Sequence, residues 1–373
     1  MRRLAGVGPA LGSLKRPTGT QMGGWVSRFL QNQGLLLVIL VFGVVMSQLS
    51  DVFLTRQNLI NVLYQSTILG VLAIGMTFVI LTAGIDLSVG SIAAVASVLS
   101  IGVVVDQGWP TAVGILVALG AGVGIGLVNG LAVTKIGITP LIATLATLSA
   151  GTGLAFAYTD GANKTPVPEI YRDVGRAEIF GFPAMIPFTL ALAVLAHIVL
   201  TRTSFGRAIY AVGGNALAAR LAGVRTDRVI TAVYVICGLT AATAGLMLTA
   251  RLASGSPRAG QGIELTVIAA VVIGGTSLFG GQGNILGTLL GVLLITMVTN
   301  AINLLGVPSA YDSLVTGGVI FVAAAVDVYR TRYTERVMAR RARSGRDSGE
   351  PPPDPGSVAS ATAPSRAHHT EPN

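Results

Sequence analysis

The residues of this chain that could do chemistry are few, and their spacing forms no catalytic set. No HExxH pair, no cysteine cluster and no G-x-S-x-G motif with a partnered base occurs. None of the three lysines lies in a G-x-x-x-x-G-K-[ST] phosphate loop, and the single cysteine, Cys237, excludes an intrachain disulfide. The sequence therefore predicts a protein with no metal or cofactor of its own. Any ATP that drives it must be hydrolysed by another chain.

Two carboxylates stand out because apolar stretches surround them. Asp86 lies in TAGIDLSVGS, and Glu264 lies in QGIELTV. An ionised side chain at bilayer depth costs about 2.5–3.5 kcal/mol on insertion scales, so it should face a cavity or a partner. Asp86 and Ser88 could cap the following helix or line a solute path, and the two roles are compatible. Glu264 could form an acid–base group with Arg251 and Arg258 around a loop.

The composition excludes a soluble enzyme of ordinary design. Hydrophobic residues make up 52% of the 373 residues and charged residues 11%, against about 25% charged in a typical soluble domain. The mean hydropathy is +0.72, and the 48 glycines follow no collagen-like period. These values predict an all-α polytopic membrane protein.

Ten apolar runs approach or exceed the roughly 20 residues that cross a hydrocarbon core. They cover residues 34–50, 58–82, 88–105, 111–134, 138–158, 185–201, 229–250, 264–280, 284–305 and 310–328. The runs 88–105 and 264–280 are short and could be broken or re-entrant helices, so eight spans plus a re-entrant pair is the alternative to ten. The predicted transmembrane domain, 34–329, is flanked by a basic tail, 1–33, and by a basic and then disordered tail, 330–373.

The distribution of basic residues predicts the orientation of the chain. Lys and Arg are concentrated in both tails and in the segment 202–228, whereas the loop 159–184 is nearly balanced. Because cytoplasmic segments carry the excess of Lys and Arg, both termini are predicted to be cytoplasmic. The net charge of +9 therefore indicates membrane orientation rather than binding to nucleic acid.

Two hexapeptides suggest an internal repeat. Residues 84–89 read GIDLSV and residues 262–267 read GIELTV, with conservative differences at the acid and the hydroxyl. The predicted order of spans places them on opposite sides of the membrane. An inverted duplication would give this placement, with a pathway between the two halves. Chance similarity in a chain rich in Gly, Ile, Leu and Val is the alternative.

Two further groups of polar residues have predicted roles. Asn300 and Asn303 could bond neighbouring helices or line the path, so the predicted path residues are Asp86, Ser88, Glu264, Asn300 and Asn303. In the segment 202–228 a short helix is predicted from Asn215 to Leu221, with Asn215 as N-cap and Gly223 as the stop. A small exposed helix of this kind suits a groove on a cytoplasmic protein.

Three motifs resemble the ribose/xylose/arabinose-type permeases of ATP-binding-cassette sugar importers. They are GMTFVILTAGIDLSVGS at 75–91, GRAIYAVGGN and ARLAGV within 206–224, and IELTVIAAVVIGGTSLFGGQG at 263–283. The similarity runs in order from about residue 34 to about residue 328. The motifs are specific to the family but not to one sugar.

The resemblance implies a permease for a monosaccharide, a ribose-like pentose or a hexose, in the bacterial plasma (inner) membrane. The implied partners are a cytoplasmic ATPase with two nucleotide-binding cassettes, which binds the ATP, an extracytoplasmic sugar-binding protein, and a second permease copy in a homodimer or a similar pair. The family segment that docks on the ATPase matches a coupling loop with Gly206, Arg207, Gly213, Gly214, Asn215, Arg220 and Gly223. Ala216 and Leu217 stand where many relatives have Glu-Ala, so the charged part of that motif is missing.

The predicted mechanism is alternating access, in which ATP binding to the partner pulls the coupling loop and rocks the helix bundle. The scarcity of buried charge suits a neutral sugar, and the binding protein would supply the affinity. The alternative is an ion-gradient-driven secondary transporter that acts alone, with Asp86 and Glu264 as ion sites. A membrane-embedded protease is a third class of protein, and the absence of a nucleophile–base pair from the sequence argues against it.

Overall fold

A computed structural model describes residues 20–308 and the isolated positions 311, 314, 317, 318 and 321, with side chains from Gly34 onward. The helices are α1 (Thr20–Leu49), α2 (Arg56–Leu81), α3 (Val89–Val105), α4 (Thr111–Leu131), α5 (Pro140–Thr159), α6 (Glu169–Arg176), α7 (Met185–Arg202), α8 (Ser204–Gly214), α9 (Ala216–Leu221), α10 (Thr226–Leu252), α11 (Ile263–Ile273) and α12 (Ile285–Leu304). A π-helical segment, Ala132–Ile136, continues α4. The mostly helical structure agrees with the predicted all-α polytopic class. A small hairpin, β1 (Glu178–Ile179) and β2 (Phe182–Pro183), was not predicted.

Six of the described helices are long and apolar enough to cross a membrane: α2, α4 with its π-helical extension, α5, α7, α10 and α12. Shorter apolar helices cover Gly34–Leu49, α3 and α11. The predicted run 264–280 is helical only as far as Ile273. The run 310–328 and the tail 330–373 lie almost wholly outside the described residues, and so do residues 1–19 of the N-terminal tail, whereas residues 20–33 form the start of α1. The number of spans and the domain boundaries therefore stay predictions.

Helix α10 lies at the centre of the bundle and packs against α2, α3 and α4. Two glycines of α4 bring its backbone onto α10. A Cβ at Gly122 would overlap the Gly238 carbonyl, and one at Gly126 would overlap the Tyr234 carbonyl. Gly120 lies on another face and would meet nothing within 4 Å. Small residues on one stripe thus let the two helices approach as closely as their backbones allow.

Polar pairs join α2 to α12 near both ends of α2. Asn58 and Asn300 exchange amide hydrogen bonds of 2.9 Å in each direction. The hydroxyls of Thr77 and Thr288 are 2.8 Å apart. Such bonds are worth about 0.6 kcal/mol each on average in a bilayer, but they fix the register of two helices. Asn300 therefore bonds neighbouring helices, one of the two roles predicted for it.

Two long helices each lead through a non-helical linker into a short helix. The linker 82–88 joins α2 to α3, and the linker 253–262 joins α10 to α11. The chain turns at Ala83 with φ 60° and at Ala253 with φ 48°. A left-handed backbone is unfavourable for alanine, so the packing around both linkers must hold these turns. The candidate site lies where the two short helices begin.

Candidate functional site

A series of hydrogen bonds joins the linker 82–88 to α4 and α5. Thr147 Oγ1 donates to Asn129 Oδ1 at 2.7 Å, and Asn129 Nδ2 donates to Ser88 Oγ at 2.8 Å. The Ser88 hydroxyl and backbone amide both donate to Asp86 Oδ1, at 2.5 and 2.9 Å. Asp86, Ser88 and Asn129 are fully buried, and a buried polar group left unpaired would cost about 1–3 kcal/mol. We call these four residues the polar chain.

Asp86 and Ser88 do not cap α3 as predicted. Ser88 occupies the N-cap position, but its side chain makes no capping hydrogen bond because its hydroxyl donates to Asp86. In the same linker the Ile85 carbonyl accepts from Tyr234 Oη at 3.2 Å and from Thr144 Oγ1 at 3.4 Å. The capping prediction is therefore wrong. Side chains of α4, α5 and α10 hold the linker in place.

A polar cleft of about 340 Å³ lies beside the start of α3 and is open to the surface. Its walls are α3, α5 and the segment that leads into α11. The polar side chains in the lining are Ser91, Ser149, Thr152, Gln261 and Glu264. Hydroxyls and an amide both donate and accept hydrogen bonds, and a carboxylate accepts them. This set of groups can bind a neutral solute that carries several hydroxyl groups.

Glu264 lies in the first turn of α11 and is only 8% exposed. Its carboxylate approaches Gly90 so closely that a Cβ at Gly90 would overlap it. Arg251 and Arg258 instead lie over aromatic rings, at 5.0 and 5.2 Å from the ring centroids. The predicted acid–base group is therefore wrong. The segments that begin α3 and α11, which carry the two hexapeptides, adjoin at this point, so the predicted placement of the hexapeptides on opposite sides of the membrane is wrong.

The two asparagines predicted for the path lie away from the cleft. Asn300 is bonded to Asn58 near the start of α2, whereas Asp86 follows the end of this 26-residue helix. At 1.5 Å per residue the two ends of α2 are about 39 Å apart. Asn303 is exposed near the end of α12. The structure thus gathers the other three predicted residues around the start of α3 and leaves the asparagines apart from them.

The segment 202–228 forms two helices, α8 and α9. Asn215 Oδ1 accepts a hydrogen bond of 2.9 Å from the Ala218 backbone amide, in the first turn of α9. Gly223 has φ 87°, and the Val224 amide donates to the Ala219 carbonyl, which is the pattern of a Schellman C-cap. The predicted short helix and both of its caps are confirmed. Helix α8 was not predicted, because its three glycines disfavour a helix.

Helix α8 packs tightly against neighbouring backbone. A Cβ at Gly206 would overlap carbonyls at the end of α7, and one at Gly213 would overlap the Leu81 carbonyl at the end of α2. Tyr210 Oη donates to the Gly283 carbonyl at 2.8 Å. Burial raises the pKa of the Tyr210 hydroxyl, so it stays a neutral donor. These contacts attach α8 to the segments that precede α3 and α12.

Helix α9, by contrast, protrudes. Leu217 is 68% exposed and Leu221 is 82% exposed, and a spacing of four residues puts them on one face. Arg207 and Gly214 of α8 are exposed on the same loop. An uncovered apolar face beside exposed arginine is typical of a docking surface for another protein.

Ion pairs connect α9 to the start of α10. Arg220 Nη2 donates to Thr226 Oγ1 and to Asp227 Oδ1, both at 3.0 Å. Lys135 Nζ, from the π-helical segment, is 3.1 Å from Asp227 Oδ2. Exposed pairs contribute only about 0–1 kcal/mol each, so this network orients α9 more than it stabilises the fold.

At the other end of the bundle, a second ion pair joins two loops. Lys164 Nζ is 2.7 Å from Asp106 Oδ2, and the Lys164 backbone is bonded in both directions to Gly255. The hydrogen bond to Asp106 raises the pKa of the Lys164 ammonium, so Lys164 is protonated at neutral pH. This contact fixes the linker 253–262 to the loop before α6.

Sequence reasoning missed Asn129 and Thr147 of the polar chain. Asn129 is an amide within the otherwise apolar α4, and a polar residue in such a run is a signal that could have found it. The cleft residues Ser149, Thr152 and Gln261 carry no comparable signal, because only the packing of α3, α5 and α11 brings them to one cavity.

A family model described as "Branched-chain amino acid transport system / permease component" matches residues 58–324. The chain belongs to this permease family. It is therefore a transport subunit and a multi-pass protein of the plasma (inner) membrane. The match covers the polar chain, the cleft, α8 and α9, so these features lie within the region that the family model describes.

Curated relatives of this permease include sugar transport proteins. It is 44% identical over 301 residues to the ribose import permease protein RbsC of Bacillus subtilis, covering 80% of this chain and 93% of the relative. It is 36% identical over 315 residues to the L-arabinose ABC transporter permease protein AraH of Azospirillum brasilense, covering 84% and 92%. The D-allose transport system permease protein AlsC of Escherichia coli is 34% identical over 293 residues, covering 79% and 89%. No solved structure matches the chain significantly.

Proposed function

We propose that this permease is the transmembrane subunit of an ATP-binding-cassette importer for a monosaccharide, ribose or a related pentose or hexose. Family membership is the observation that carries the proposal. Relatives named as ribose, L-arabinose and D-allose permeases support the substrate class. The permease holds no ATP itself, and a separate cytoplasmic ATPase with two cassettes supplies the energy.

The chemistry of the cleft favours a sugar over an amino acid. Among the described side chains that line it there is one carboxylate, Glu264, and no cation. A branched-chain amino acid is a zwitterion, so its ammonium group could pair with Glu264, but its carboxylate would find no positive partner among these lining residues. A sugar is neutral and can donate hydroxyl hydrogen bonds to Glu264 and exchange them with Ser91, Ser149 and Gln261.

The cleft forms part of the translocation path in this proposal. The two units of long helix, linker and short helix support an inverted repeat with the path between its halves. Leu141 and Leu145 are about half exposed on the side of α5 that carries Ser149. A second permease copy packed against this side would cover the leucines and close the cleft, so the transport unit is a dimer.

The α8–α9 pair couples the permease to the ATPase. Helix α9 presents Leu217 and Leu221 to the ATPase. Helix α8 contacts the C-terminal end of α2, next to the linker 82–88, and transmits the movement of α9 to them. Many relatives have Glu-Ala where this permease has Ala216 and Leu217, so it lacks their acidic docking residue. The contact in this permease is therefore mainly apolar. This end of the bundle is cytoplasmic, as are both termini, and the sugar-binding protein docks at the opposite end near Lys164.

Reconstitution tests the proposal directly. Proteoliposomes that contain the permease, its ATPase and its binding protein should accumulate radiolabelled ribose, or another monosaccharide, only when ATP is present. Leucine should not be accumulated. Accumulation of leucine but of no sugar would refute the substrate class.

The coupling assignment has its own test. Asn215→Ala removes the N-cap of α9, and Gly223→Ala places a side chain in a left-handed position, each at a cost of about 1 kcal/mol to this helix. Both variants should lower ATP-driven uptake and weaken association with the ATPase. Gly120→Ala, in α4 and outside the coupling loop, adds a methyl group that meets nothing within 4 Å and is the matched control. Uptake and association unchanged in both variants would show that α9 does not couple the two proteins.

An ion-gradient-driven carrier remains the second candidate because Asp86 and Glu264 are buried carboxylates. It predicts accumulation by the permease alone in liposomes with a proton or sodium gradient and no ATPase. That result would overturn the importer proposal. Family membership argues against it.

A further inference from the structure

A second groove, of about 760 Å³, lies at the α9 end of the bundle. It runs between the π-helical end of α4 and the first turns of α10, beside α8. Its floor is apolar and is formed by Leu131, Phe205, Ala232, Val235 and Ile236. Its rim carries the charged residues Lys135, Asp227 and Arg228. We call it the basic-rimmed groove.

Four of the five floor residues of the basic-rimmed groove lie in membrane-spanning helices, and the fifth, Phe205, lies in α8. Both α4 and α10 are long and apolar enough to cross a membrane. From Arg228 to Ile236 the groove follows α10 for eight residues, or about 12 Å. A cytoplasmic protein can reach the rim but not a floor at this depth in the hydrocarbon. An acyl chain can occupy the floor while its headgroup meets the rim.

The charge of the rim selects the headgroup. Lys135 and Arg228 are cations, and the acid between them, Asp227, already accepts hydrogen bonds from Lys135 and Arg220. The rim therefore carries an excess of positive charge at the boundary of the membrane. Basic pockets between helices at the cytoplasmic face bind the headgroups of anionic lipids.

We propose that the basic-rimmed groove binds an anionic phospholipid. The phosphate lies between Lys135 and Arg228, and one acyl chain lies along Leu131, Val235 and Ile236. The lipid site does not depend on the proposed sugar substrate.

A second permease copy is a poorer occupant of this groove. In a twofold dimer the same surface faces itself, so Lys135 and Arg228 of one copy would approach the same cations of the other. Like charges placed together at an interface disfavour association. The exposed side of α5 carries no such charge in its described residues and is the better dimer surface.

Lipid titration of the purified full-length permease tests the site. Binding of phosphatidylglycerol and of phosphatidylcholine with identical chains would be measured by native mass spectrometry in detergent. The wild-type permease should bind phosphatidylglycerol more tightly. Arg228→Gln should weaken that binding about fivefold, the factor that corresponds to about 1 kcal/mol for one basic residue at a membrane surface. Arg225→Gln, the same change at an exposed residue outside the groove, should leave it unchanged.

A steric variant tests the apolar floor. Ala232→Trp fills the groove and should abolish selective binding of phosphatidylglycerol. Ala112→Trp, at an exposed position at the other end of α4, should not. Soluble glycerol phosphate, which has the headgroup but no chain, should not compete with the lipid at equal concentration.

Three results would overturn the proposal. If Arg228→Gln and Arg225→Gln weakened the binding of phosphatidylglycerol equally, the surface charge as a whole would attract the lipid and the groove would not be its site. Full competition by glycerol phosphate would mean a site for a free anion rather than a lipid. Weakened association of Arg228→Gln with the ATPase in lipid-free detergent would mean that the groove is a protein contact.

Discussion

Nearly the same hexapeptide occurs where α3 and α11 begin, but its acid has different surroundings at the two places. In the linker 82–88, Asp86 is fully buried and accepts two hydrogen bonds from Ser88. At the start of α11, Glu264 lines an open polar cleft. One acid therefore holds the backbone of its own segment, and the other is available to a solute. A repeated motif thus supports two roles, because the neighbouring helices, not the motif, decide what the acid contacts.

The largest effect is expected for Asp86→Ala. It leaves the buried amide and hydroxyl of Ser88 without an acceptor, at a cost of about 1–3 kcal/mol. We expect a lower melting temperature and loss of uptake together, measured by thermal unfolding in detergent and by transport in proteoliposomes. Asp86→Asn keeps an acceptor oxygen and should retain most of the stability. An Asp86→Ala variant of wild-type stability that has lost only transport would place Asp86 on the solute path instead.

The next effect is expected where the two units meet. In Gly90→Ala the new Cβ overlaps the Glu264 carboxylate and the Gly260 carbonyl, and overpacking of this kind costs about 1–3 kcal/mol. Displacement of Glu264 should lower the rate of sugar uptake. Gly153→Ala, in α5, adds the same methyl group where nothing lies within 4 Å. Equal uptake by the two variants would argue against a functional junction at Gly90.

A smaller and more selective effect is expected for Glu264→Gln. The amide keeps an acceptor for a sugar hydroxyl but loses the charge, so uptake should fall about fivefold, which corresponds to about 1 kcal/mol. The melting temperature should stay near that of the wild-type protein. A large loss of stability with normal uptake per folded molecule would show that Glu264, like Asp86, is structural.

The smallest effects should come from the paired hydroxyls. Ser88→Ala breaks the polar chain between Asp86 and Asn129 and should destabilise the protein by about 1 kcal/mol. Thr266, the matching residue of the second hexapeptide, is only partly buried. Thr266→Ala should change stability by no more than about 0.5 kcal/mol. The melting temperature should therefore fall more in Ser88→Ala than in Thr266→Ala. Equal shifts would show that the hydroxyls of the two hexapeptides contribute equally to stability.

Much of the bundle could be predicted because hydrophobic length and charge are local properties of the chain. The runs 58–82 and 229–250 appear as α2 and α10 with small shifts at their ends. The caps of α9 were also predictable, since Asn215 and Gly223 act on backbone groups within a few residues of themselves. Helix α8 was not, because Gly213 serves a distant contact with Leu81 that outweighs its low helix propensity.

The candidate site was predicted only in part for the same physical reason. Apolar surroundings marked Asp86 and Glu264 as unusual, but their distances to Arg251, Asn129 and each other depend on how five helices pack. Asn300 illustrates the limit. A polar residue in a span can face a neighbouring helix or a cavity, and only the bond to Asn58 distinguishes them.

A helical membrane permease with basic segments and a short capped helix within 202–228 can be predicted from the sequence alone. Burial of apolar length, the excess of Lys and Arg, and capping all act over short distances along the chain. The folded structure is needed to show which acid supports the backbone, which one faces a cleft, and where the basic-rimmed groove lies. Those features arise from side chains far apart in sequence, and close packing of the helices brings them within hydrogen-bonding distance.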